Sequence, residues 1–292
     1  MAHAFERIGI IGKFNALEAW ETIGRVIEFF SQAGCTVYLD QVCCPDFPIE
    51  RYPARQLPRE ELVRNIDLGV IVGGDGTLLN AARDLVEYDI PVLGINLGRL
   101  GFLVDFSPDT LEQSMQAVLA GDYEEEYRSM LKVSVHENTQ EVFHHLAFND
   151  VVVHKKDTPR MIEFDTWVDD HFMNRQRSDG LIVTSPTGST AYALSAGGPI
   201  MDPRLDAMAL VSINPHTLSN RPVVVPGSSV VKVVPSKTCT GSAKVTCDGQ
   251  VTFEIFAQHI THVQTYEKRL RMIHPRGYNY YDILRTKLKW GS

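Results

Sequence analysis

The first 126 residues alternate between two patterns of apolar positions. Short apolar runs typical of buried strands occupy residues 7–11, 35–39, 68–72 and 91–95. Between them, apolar residues recur every three or four positions at residues 17–30 and 77–86. After the last run, Ser107-Pro108 predicts the start of a further helix, to which Leu111, Met115 and Val118 give an apolar face. The connection between the second and third runs is expected to be irregular because it contains Pro45, Pro48, Pro53 and Pro58. Strands that alternate with amphipathic helices predict an α/β domain with a parallel sheet.

From Tyr127 onward, apolar and polar residues alternate instead, as at residues 131–135 and 162–168. Shorter β-rich runs follow at residues 209–213, 223–225, 230–234 and 244–246. This pattern describes an antiparallel sandwich or a barrel-like domain, and of the two we predict a mostly antiparallel β-sandwich. Residues 281–290 return to helical spacing, and we expect this C-terminal helix to pack on the first domain. The predicted domains are 1–126, 127–272 and 273–292.

Composition narrows the class of protein without defining its activity. The chain has 292 residues, of which 44% are hydrophobic, and a formal net charge of −8. It contains no apolar run of the ~18 residues that a membrane helix needs, and its first residues lack an apolar signal region. We therefore expect a cytoplasmic protein. The acidic balance argues against a general nucleic-acid or membrane-surface binder.

Cysteine and histidine spacing gives no indication of a metal site. The five cysteines form no CxxC pair, and HExxH is absent. We expect reduced thiols that fill core or loop space, and no metal site built by the protein.

The sequence GGDGT at residues 73–77 directly follows an apolar strand and opens a helix. Glycines allow the backbone to approach a phosphate closely, and the N-terminus of a helix favours an anion. Asp75 is then suited to accept a hydroxyl proton or to hold a metal carried on the phosphates. The alternative is an ordinary strand–helix turn in which Asp75 caps the helix. GxxxxGK[ST] and GxGxxG are both absent, which disfavours a P-loop enzyme and an ordinary Rossmann dehydrogenase.

A second stretch, residues 184–199, combines many hydroxyl residues and glycines with one aromatic residue, Tyr192. Hydroxyls and free N–H groups bind ribose, an adenine edge or pyrophosphate, and the Tyr192 ring offers a face to a base. Read alone, the stretch is more typical of a long Ser/Thr-rich loop.

Taken together, the motifs resemble those of bacterial NAD kinases over nearly the whole chain. The shared motifs are GGDGT (73–77), GIN (94–96), LGFL (100–103), ND (149–150), RSDG (177–180), PTGSTAY (186–192) and PHTLS (215–219). The resemblance implies an α/β domain carrying GGDG, followed by a β-rich domain. It also implies transfer of the γ-phosphoryl of ATP to the 2′-hydroxyl of the adenosine ribose of NAD. A divalent cation such as Mg²⁺ would be carried with ATP, and the chain would form a homodimer or homotetramer.

The resemblance also assigns roles to individual residues. Asp75 would accept the 2′-hydroxyl proton, and Asn149 and Asp150 would contact the adenosine, although the family usually has Glu at the second of these positions. Arg177 and Asp179 match positions near the nicotinamide. The other residues assigned to dinucleotide binding are Gly74, Gly76, Arg160, Thr187, Thr190, Ala191, Tyr192, Ala193, Leu194, Ser195 and Gln250. Arg160 lies in a loop that is otherwise typical of a solvated basic turn.

Two other functions compete with this interpretation. The GGDG turn is shared by lipid and sugar-phosphate kinases, and a non-catalytic NADP-sensing module would keep the dinucleotide loop without needing Asp75. We also expect a preference for NAD over NADH, on the hypothesis that Arg177 fixes Asp179 and that this carboxylate favours the cationic nicotinamide ring.

Overall fold

The structure is a computed structural model that describes residues 3–98, 101–156, 161–236 and 243–290. It divides into two compact units, which are described separately. Unit 1 contains Met1–Tyr127 and Leu270–Ser292, and unit 2 contains Arg128–Arg269.

The helices and strands are numbered in chain order. The helices are α1 (Trp20–Gln32), α2 (Arg59–Asn65), α3 (Asp75–Glu87), α4 (Leu111–Leu119), α5 (Tyr192–Ser195) and α6 (Tyr280–Leu288). The first eight strands are β1 (Arg7–Gly12), β2 (Thr36–Asp40), β3 (Arg55–Leu57), β4 (Leu68–Gly73), β5 (Val92–Asn96), β6 (Glu124–Glu137), β7 (Gln140–Ala147) and β8 (Asp150–Lys155). The others are β9 (Ile162–Val168), β10 (His171–Ser178), β11 (Gly180–Thr184), β12 (Ala207–Ile213), β13 (Val223–Pro226), β14 (Val231–Pro235), β15 (Ala243–Cys247), β16 (Val251–Ile255) and β17 (His259–His274).

Unit 1 contains a parallel sheet in the order β5-β4-β1-β2-β3. All six residues of β4 are buried. A strand covered on both faces is apolar along its whole length, which explains the continuous apolar runs in the sequence. The α/β prediction for this part of the chain is confirmed.

The helices of unit 1 follow the predicted pattern with one exception. Ser107 caps the turn before α4, since its side chain accepts a hydrogen bond from the Asp109 N–H at 3.2 Å. The connection predicted to be irregular contains β3 and α2, so that part of the prediction is wrong. Helix α2 has only seven residues, and Leu62 and Val63 are the two that it buries. So short a helix gives almost no periodic signal, and the preceding prolines indicate a loop more strongly than they indicate a helix start.

Unit 2 has two layers of strands around one core. One layer is a six-stranded antiparallel sheet in the order β13-β12-β11-β8-β15-β16. The other contains β10, β9, β14 and the first part of β17, and β6 and β7 join it. Their facing sides bury one cluster that includes Val133, Phe164, Val183, Val233 and Val245. The predicted β-sandwich is confirmed.

A smaller apolar cluster lies on the other face of the six-stranded sheet. Val152, Ile182, Ala209 and Val211 pack there with Ala193 and Met201. The segment that contains α5 is therefore fixed to the sheet by buried side chains. None of the helices in the described ranges is long and apolar enough to cross a membrane.

Candidate functional site

The glycine-rich turn lies where β4 ends and α3 begins. Gly74 is the N-cap residue of α3 and has an extended backbone. A Cβ on Gly73 would lie 2.9 Å from the Cβ of Thr77, whereas a Cβ on Gly74 or Gly76 would meet no atom within 4 Å. Gly73 is thus needed for packing inside the turn. Gly74 and Gly76 leave the backbone open to a ligand.

A cavity of about 720 Å³ opens beside this turn in unit 1. This volume is within the usual range for small-molecule sites. Its wall combines backbone of the turn with polar side chains and one exposed aromatic side chain, Phe14. The lining residues are Gly12, Lys13, Phe14, Glu18, Val42, Cys43, Gly73, Gly74, Gly76, Thr77, Asn80, Asn96, Leu97 and Gly98. The N-terminus of α3 with its backbone N–H groups, and the ammonium of Lys13, favour a phosphate-bearing ligand.

The Asp75 carboxylate is held by a different segment of unit 1. Its Oδ2 accepts a hydrogen bond from the Phe102 N–H at 2.9 Å, and its Oδ1 accepts one from the Leu103 N–H at 3.1 Å. Asp75 is the first residue of α3, and the N-cap residue is Gly74. The interpretation of Asp75 as an ordinary helix cap is therefore wrong.

Unit 2 contains a second cavity, of about 520 Å³. Five of the sequence-predicted residues line it: Asn149, Asp150, Asp179, Ala191 and Tyr192. The other lining residues are Val152, His154, Lys155, Lys156, Ile213, Asn214, Thr246, Asp248 and Gly249. Tyr192 is 47% exposed, so its ring is free to meet a ligand.

Asp150 is buried at one side of this cavity, beside a second carboxylate. Burial and the negative charge of Asp248 raise the pKa of Asp150 to about 7. Asp248 accepts hydrogen bonds from the backbone N–H groups of Phe148, Asn149 and Asp150 at 2.9, 2.7 and 3.2 Å. The turn after β15 thus fixes the backbone of the Asn149–Asp150 pair. Asp248-Gly249 indicates a turn in the sequence, but nothing in the sequence indicates that this turn binds the backbone of residues 148–150.

Asp179 belongs to a charged group in the same cavity. Lys155 Nζ lies 2.6 Å from its Oδ1, and Asn214 Nδ2 donates a hydrogen bond to its Oδ2 at 3.0 Å. These two contacts keep the pKa of Asp179 below its ordinary value, the Lys155 hydrogen bond most strongly. Within the described ranges, the exposed side chain of Arg177 makes no hydrogen bond or ion pair. Lys155, not Arg177, fixes Asp179, so that step of our hypothesis is wrong.

Several hydroxyl groups of the Ser/Thr-rich segment form hydrogen bonds to backbone carbonyls. Thr184 donates a hydrogen bond to the Asn149 carbonyl, Ser185 to the Phe148 carbonyl and Ser189 to the Pro186 carbonyl. The first two bonds join the segment to the residues directly before β8, and the third holds the segment itself together. The segment therefore positions the cavity wall in addition to any ligand contact that it makes.

Several predicted residues do not line either cavity in the described part of the chain. Thr187 is buried, and its Oγ1 accepts a hydrogen bond from Arg128 Nη1 at 3.4 Å. Ala193 packs in the small apolar cluster. The others outside the two linings are Asp75, Arg177, Thr190, Leu194, Ser195 and Gln250. Asp75 lies between Gly74 and Gly76, which do line the unit 1 cavity. Arg160 lies outside the described residues.

Sequence reasoning missed Lys155, Asn214, Asp248 and the buried Arg128. Lys155 follows His154 in a run that reads as a solvated basic turn. It lines the cavity because β8 pairs with β11, with His154 opposite Gly180, next to Asp179. Only the strand pairing shows that this lysine faces Asp179.

The chain is similar to proteins of known function along nearly its whole length. The chain matches the model of the ATP-NAD kinase N-terminal domain over residues 8–123 and that of the C-terminal domain over residues 148–275. It is 54% identical to the NAD kinase of Hydrogenovibrio crunogenus over 288 residues, which are 99% of each chain. The chain belongs to the NAD kinase family. It is an enzyme, a kinase whose phosphoryl acceptor is NAD and whose phosphoryl donor is ATP.

Other relatives agree with this assignment. The NAD kinase of Nitrosococcus oceani is 45% identical over 291 residues, which cover 100% of this chain and 99% of the relative. A solved NAD kinase from Archaeoglobus fulgidus in complex with ATP matches with a TM-score of 0.75 and 28% identity, over 97% of this chain and 98% of that one. The predicted family and activity are confirmed, in preference to the lipid or sugar-phosphate kinases that share the GGDG turn.

A yeast NADH kinase complexed with NADH has a similar fold. Its TM-score is 0.89 at 24% identity, over 98% of this chain and 88% of that one. At this identity the likeness concerns the fold alone. The preference of this NAD kinase for NAD over NADH stays a prediction.

Proposed function

We propose that this NAD kinase directs phosphoryl transfer to the 2′-hydroxyl of the adenosine ribose of NAD, with Asp75 as the acceptor of the hydroxyl proton. The products are NADP and ADP. The observation that carries the proposal is the fixed Asp75 carboxylate at the start of α3, next to the open backbone of Gly74 and Gly76. A fixed acceptor orients the attacking hydroxyl in line with the phosphoryl group.

The cavity of unit 1 is proposed to bind the phosphates of ATP. Backbone amides at the start of α3 and the ammonium of Lys13 supply positive charge there. Lys13 Nζ also lies 2.9 Å from Glu18 Oε1, and Glu18 lines the same cavity. A bound phosphate would compete with Glu18 for this lysine.

Magnesium is proposed to enter as the complex with ATP. Within the described ranges, no three His, Cys, Asp or Glu side chains are grouped so that they could hold a metal ion. The ATP phosphates themselves are strong ligands for Mg²⁺, which would supply positive charge to offset the charge that develops during transfer.

The cavity of unit 2 is proposed to bind NAD through the Asn149–Asp150 pair and Tyr192. An amide and a carboxyl group match the donors and acceptors of a ribose diol and a base edge. The exposed Tyr192 ring offers a stacking surface for a base.

A homodimer or homotetramer is proposed on the family resemblance. Unit 2 exposes large apolar side chains that could be covered by another copy, including Leu218, which is 98% exposed, and Phe172, which is 52% exposed. Sedimentation velocity measures whether copies of the chain associate. A monomer at micromolar concentration contradicts this proposal without affecting the others.

The test of the catalytic assignment is Asp75→Asn, which keeps the size of the side chain and removes its charge. We expect kcat to fall at least ~10²-fold while the Kd for NAD changes little. The measurement is NADP formation from NAD, ATP and Mg²⁺, read by an NADP-specific dehydrogenase.

Asp109→Asn is the matched control, because Asp109 is an exposed aspartate of the same unit outside both cavities. Wild-type turnover in Asp75→Asn would exclude Asp75 as the proton acceptor. Failure of the unmodified enzyme to form NADP would instead exclude the activity itself.

A further inference from the structure

Both oxygens of the Asp75 carboxylate accept hydrogen bonds from one short segment, residues 101–103. The two donors are the consecutive backbone N–H groups of Phe102 and Leu103. An ionised carboxylate has about four acceptor positions. The two N–H bonds therefore fix its orientation and leave acceptor positions for a substrate hydroxyl.

Gly101 precedes these donors and provides the space for the carboxylate. A Cβ at this position would lie 2.8 Å from Asp75 Cγ and far inside van der Waals contact with Asp75 Oδ1. Gly101 is not among the glycines with a left-handed backbone. An alanine therefore fits the backbone conformation here. The glycine is required for the room that the Asp75 carboxylate and Val104 Cγ2, which would lie 2.8 Å from the same Cβ, occupy.

The segment has little freedom to move away from such a side chain. The Phe106 N–H donates a hydrogen bond to the Gly94 carbonyl at 3.0 Å, and the Asn96 N–H donates one to the Phe106 carbonyl at 2.9 Å. The Gly101 N–H donates to the Val104 carbonyl at 3.3 Å, which closes the turn. Phe106 is bonded to β5 and the turn of residues 101–104 is closed on itself, so a Cβ at residue 101 pushes against the Asp75 carboxylate and the Val104 side chain.

We propose that residues 101–103 form a cradle that positions the Asp75 carboxylate for catalysis, with Gly101 as a positioning residue. The proposal rests on the function proposed above for Asp75. It assigns to Gly101 an effect on kcat that depends on the presence of the Asp75 carboxylate. The competing explanation is that the cradle only stabilises the turn, in which case Gly101 matters equally with or without a carboxylate at residue 75.

The test is a double-mutant cycle between Gly101→Ala and Asp75→Ala. In the otherwise unmodified enzyme, Gly101→Ala should lower kcat by about 10²-fold, because misplacing a reacting group by an ångström costs that much. The KM for NAD should change less than threefold. In the Asp75→Ala background, where no carboxylate remains to be displaced, Gly101→Ala should change kcat less than about threefold.

Gly98→Ala is the matched control for the cycle. A Cβ on Gly98 meets no atom within 4 Å, so this variant adds the same group nearby without touching Asp75. Its effect on kcat, whatever its size, should be the same fold-change in both backgrounds. Thermal unfolding of each variant shows whether the fold is retained.

A second variant removes a donor without adding bulk, in case Gly101→Ala does not fold. Replacing the Leu103 amide by an ester, through incorporation of the corresponding α-hydroxy acid, removes the Leu103 N–H and keeps its side chain. We expect a loss in kcat of about tenfold that disappears in the Asp75→Ala background.

Two results overturn the cradle proposal while the catalytic assignment stands: wild-type kcat in Gly101→Ala, or an equal loss with and without the Asp75 carboxylate. Undiminished turnover in Asp75→Ala itself overturns the assignment of Asp75.

Discussion

At the scale of single residues, the unit 2 cavity contains two neighbouring carboxyl groups in different environments, the buried Asp150 and the half-buried Asp248. Asp248 receives three backbone N–H groups, whereas Asp150 is buried beside it, with a pKa raised to about 7. Burial, and secondly the negative charge of Asp248, disfavour the ionised form of Asp150. Asp150 therefore changes its protonation state near neutral pH, within the proposed dinucleotide site.

This difference predicts a pH-dependent effect of Asp150→Asn on stability. The folded-state pKa of about 7 lies above the ordinary value of 3.8, so the folded protein binds more protons at Asp150 between these values. The folded state loses stability as pH rises through this window, and an amide avoids the loss. The unfolding free energy of the variant minus that of the unmodified protein should therefore increase by about 2–3 kcal/mol between pH 5 and pH 8.

Urea unfolding of both proteins at several pH values measures this difference. Asp248→Asn, which removes the second cause of the raised pKa, should weaken the pH dependence. A stability difference that is constant from pH 5 to pH 8 would show that Asp150 ionises as an ordinary aspartate.

At the scale of elements, α2 is held in unit 1 by a buried ion pair. Arg59 Nε lies 3.0 Å from Asp40 Oδ2 at the end of β2, and Arg59 Nη1 lies 3.0 Å from Asp84 Oδ2 on α3. Asp40 is fully buried. A helix of seven residues is not stable by itself in water, so these contacts and the burial of Leu62 and Val63 determine its existence.

Arg59→Met should destabilise unit 1 strongly, because it leaves the Asp40 carboxylate buried without its partner. The expected loss of unfolding free energy is about 3 kcal/mol. Arg59→Met with Asp40→Asn should recover most of it, since no buried charge then remains. Arg64→Met on the same helix is the matched control, because Arg64 bonds Tyr88 at the surface. Thermal unfolding checks all four proteins; a loss as small as that of Arg64→Met would mean that the pair contributes little.

At the scale of the whole molecule, the described part of each unit contains a cavity of about 520 Å³ or more, and the enzyme has two substrates. The unit 1 cavity presents a helix N-terminus and glycine backbone, which suit phosphates. The unit 2 cavity presents an amide, carboxyl groups and an aromatic ring, which suit a nucleoside. On these two chemistries rests our proposal that the first cavity binds the ATP phosphates and the second binds NAD.

Hydrogen–deuterium exchange tests this assignment, since a ligand slows exchange where it contacts and stabilises the backbone. NAD alone should protect amides of β8, β11 and the turn after β15. A non-hydrolysable ATP analogue with Mg²⁺ should protect peptides that cover residues 73–80. The reverse pattern of protection would exchange the two assignments.

The sequence by itself determined the order of most helices and strands, the change from an α/β unit to a β-sandwich, and the strand–turn–helix that carries Asp75. These features depend on local periodicity, glycine turns and helix starts, all of which can be read from neighbouring residues. Helix α2 was not predicted, because its stability comes from the ion pairs of Arg59 with Asp40 and Asp84 and from buried contacts with other elements.

Only the tertiary structure decided which groups surround the candidate residues. The Asp75 carboxylate accepts hydrogen bonds from residues 27 and 28 positions further along the chain. Asp248 bonds the Asp150 N–H, 98 positions away, and Lys155 bonds Asp179, 24 positions away. Such partners meet because strands pair and turns return the chain to the same place, and no local pattern encodes that meeting. The sequence thus named the chemical groups of this kinase, and the packing of its sheets set their partners, orientation and charge.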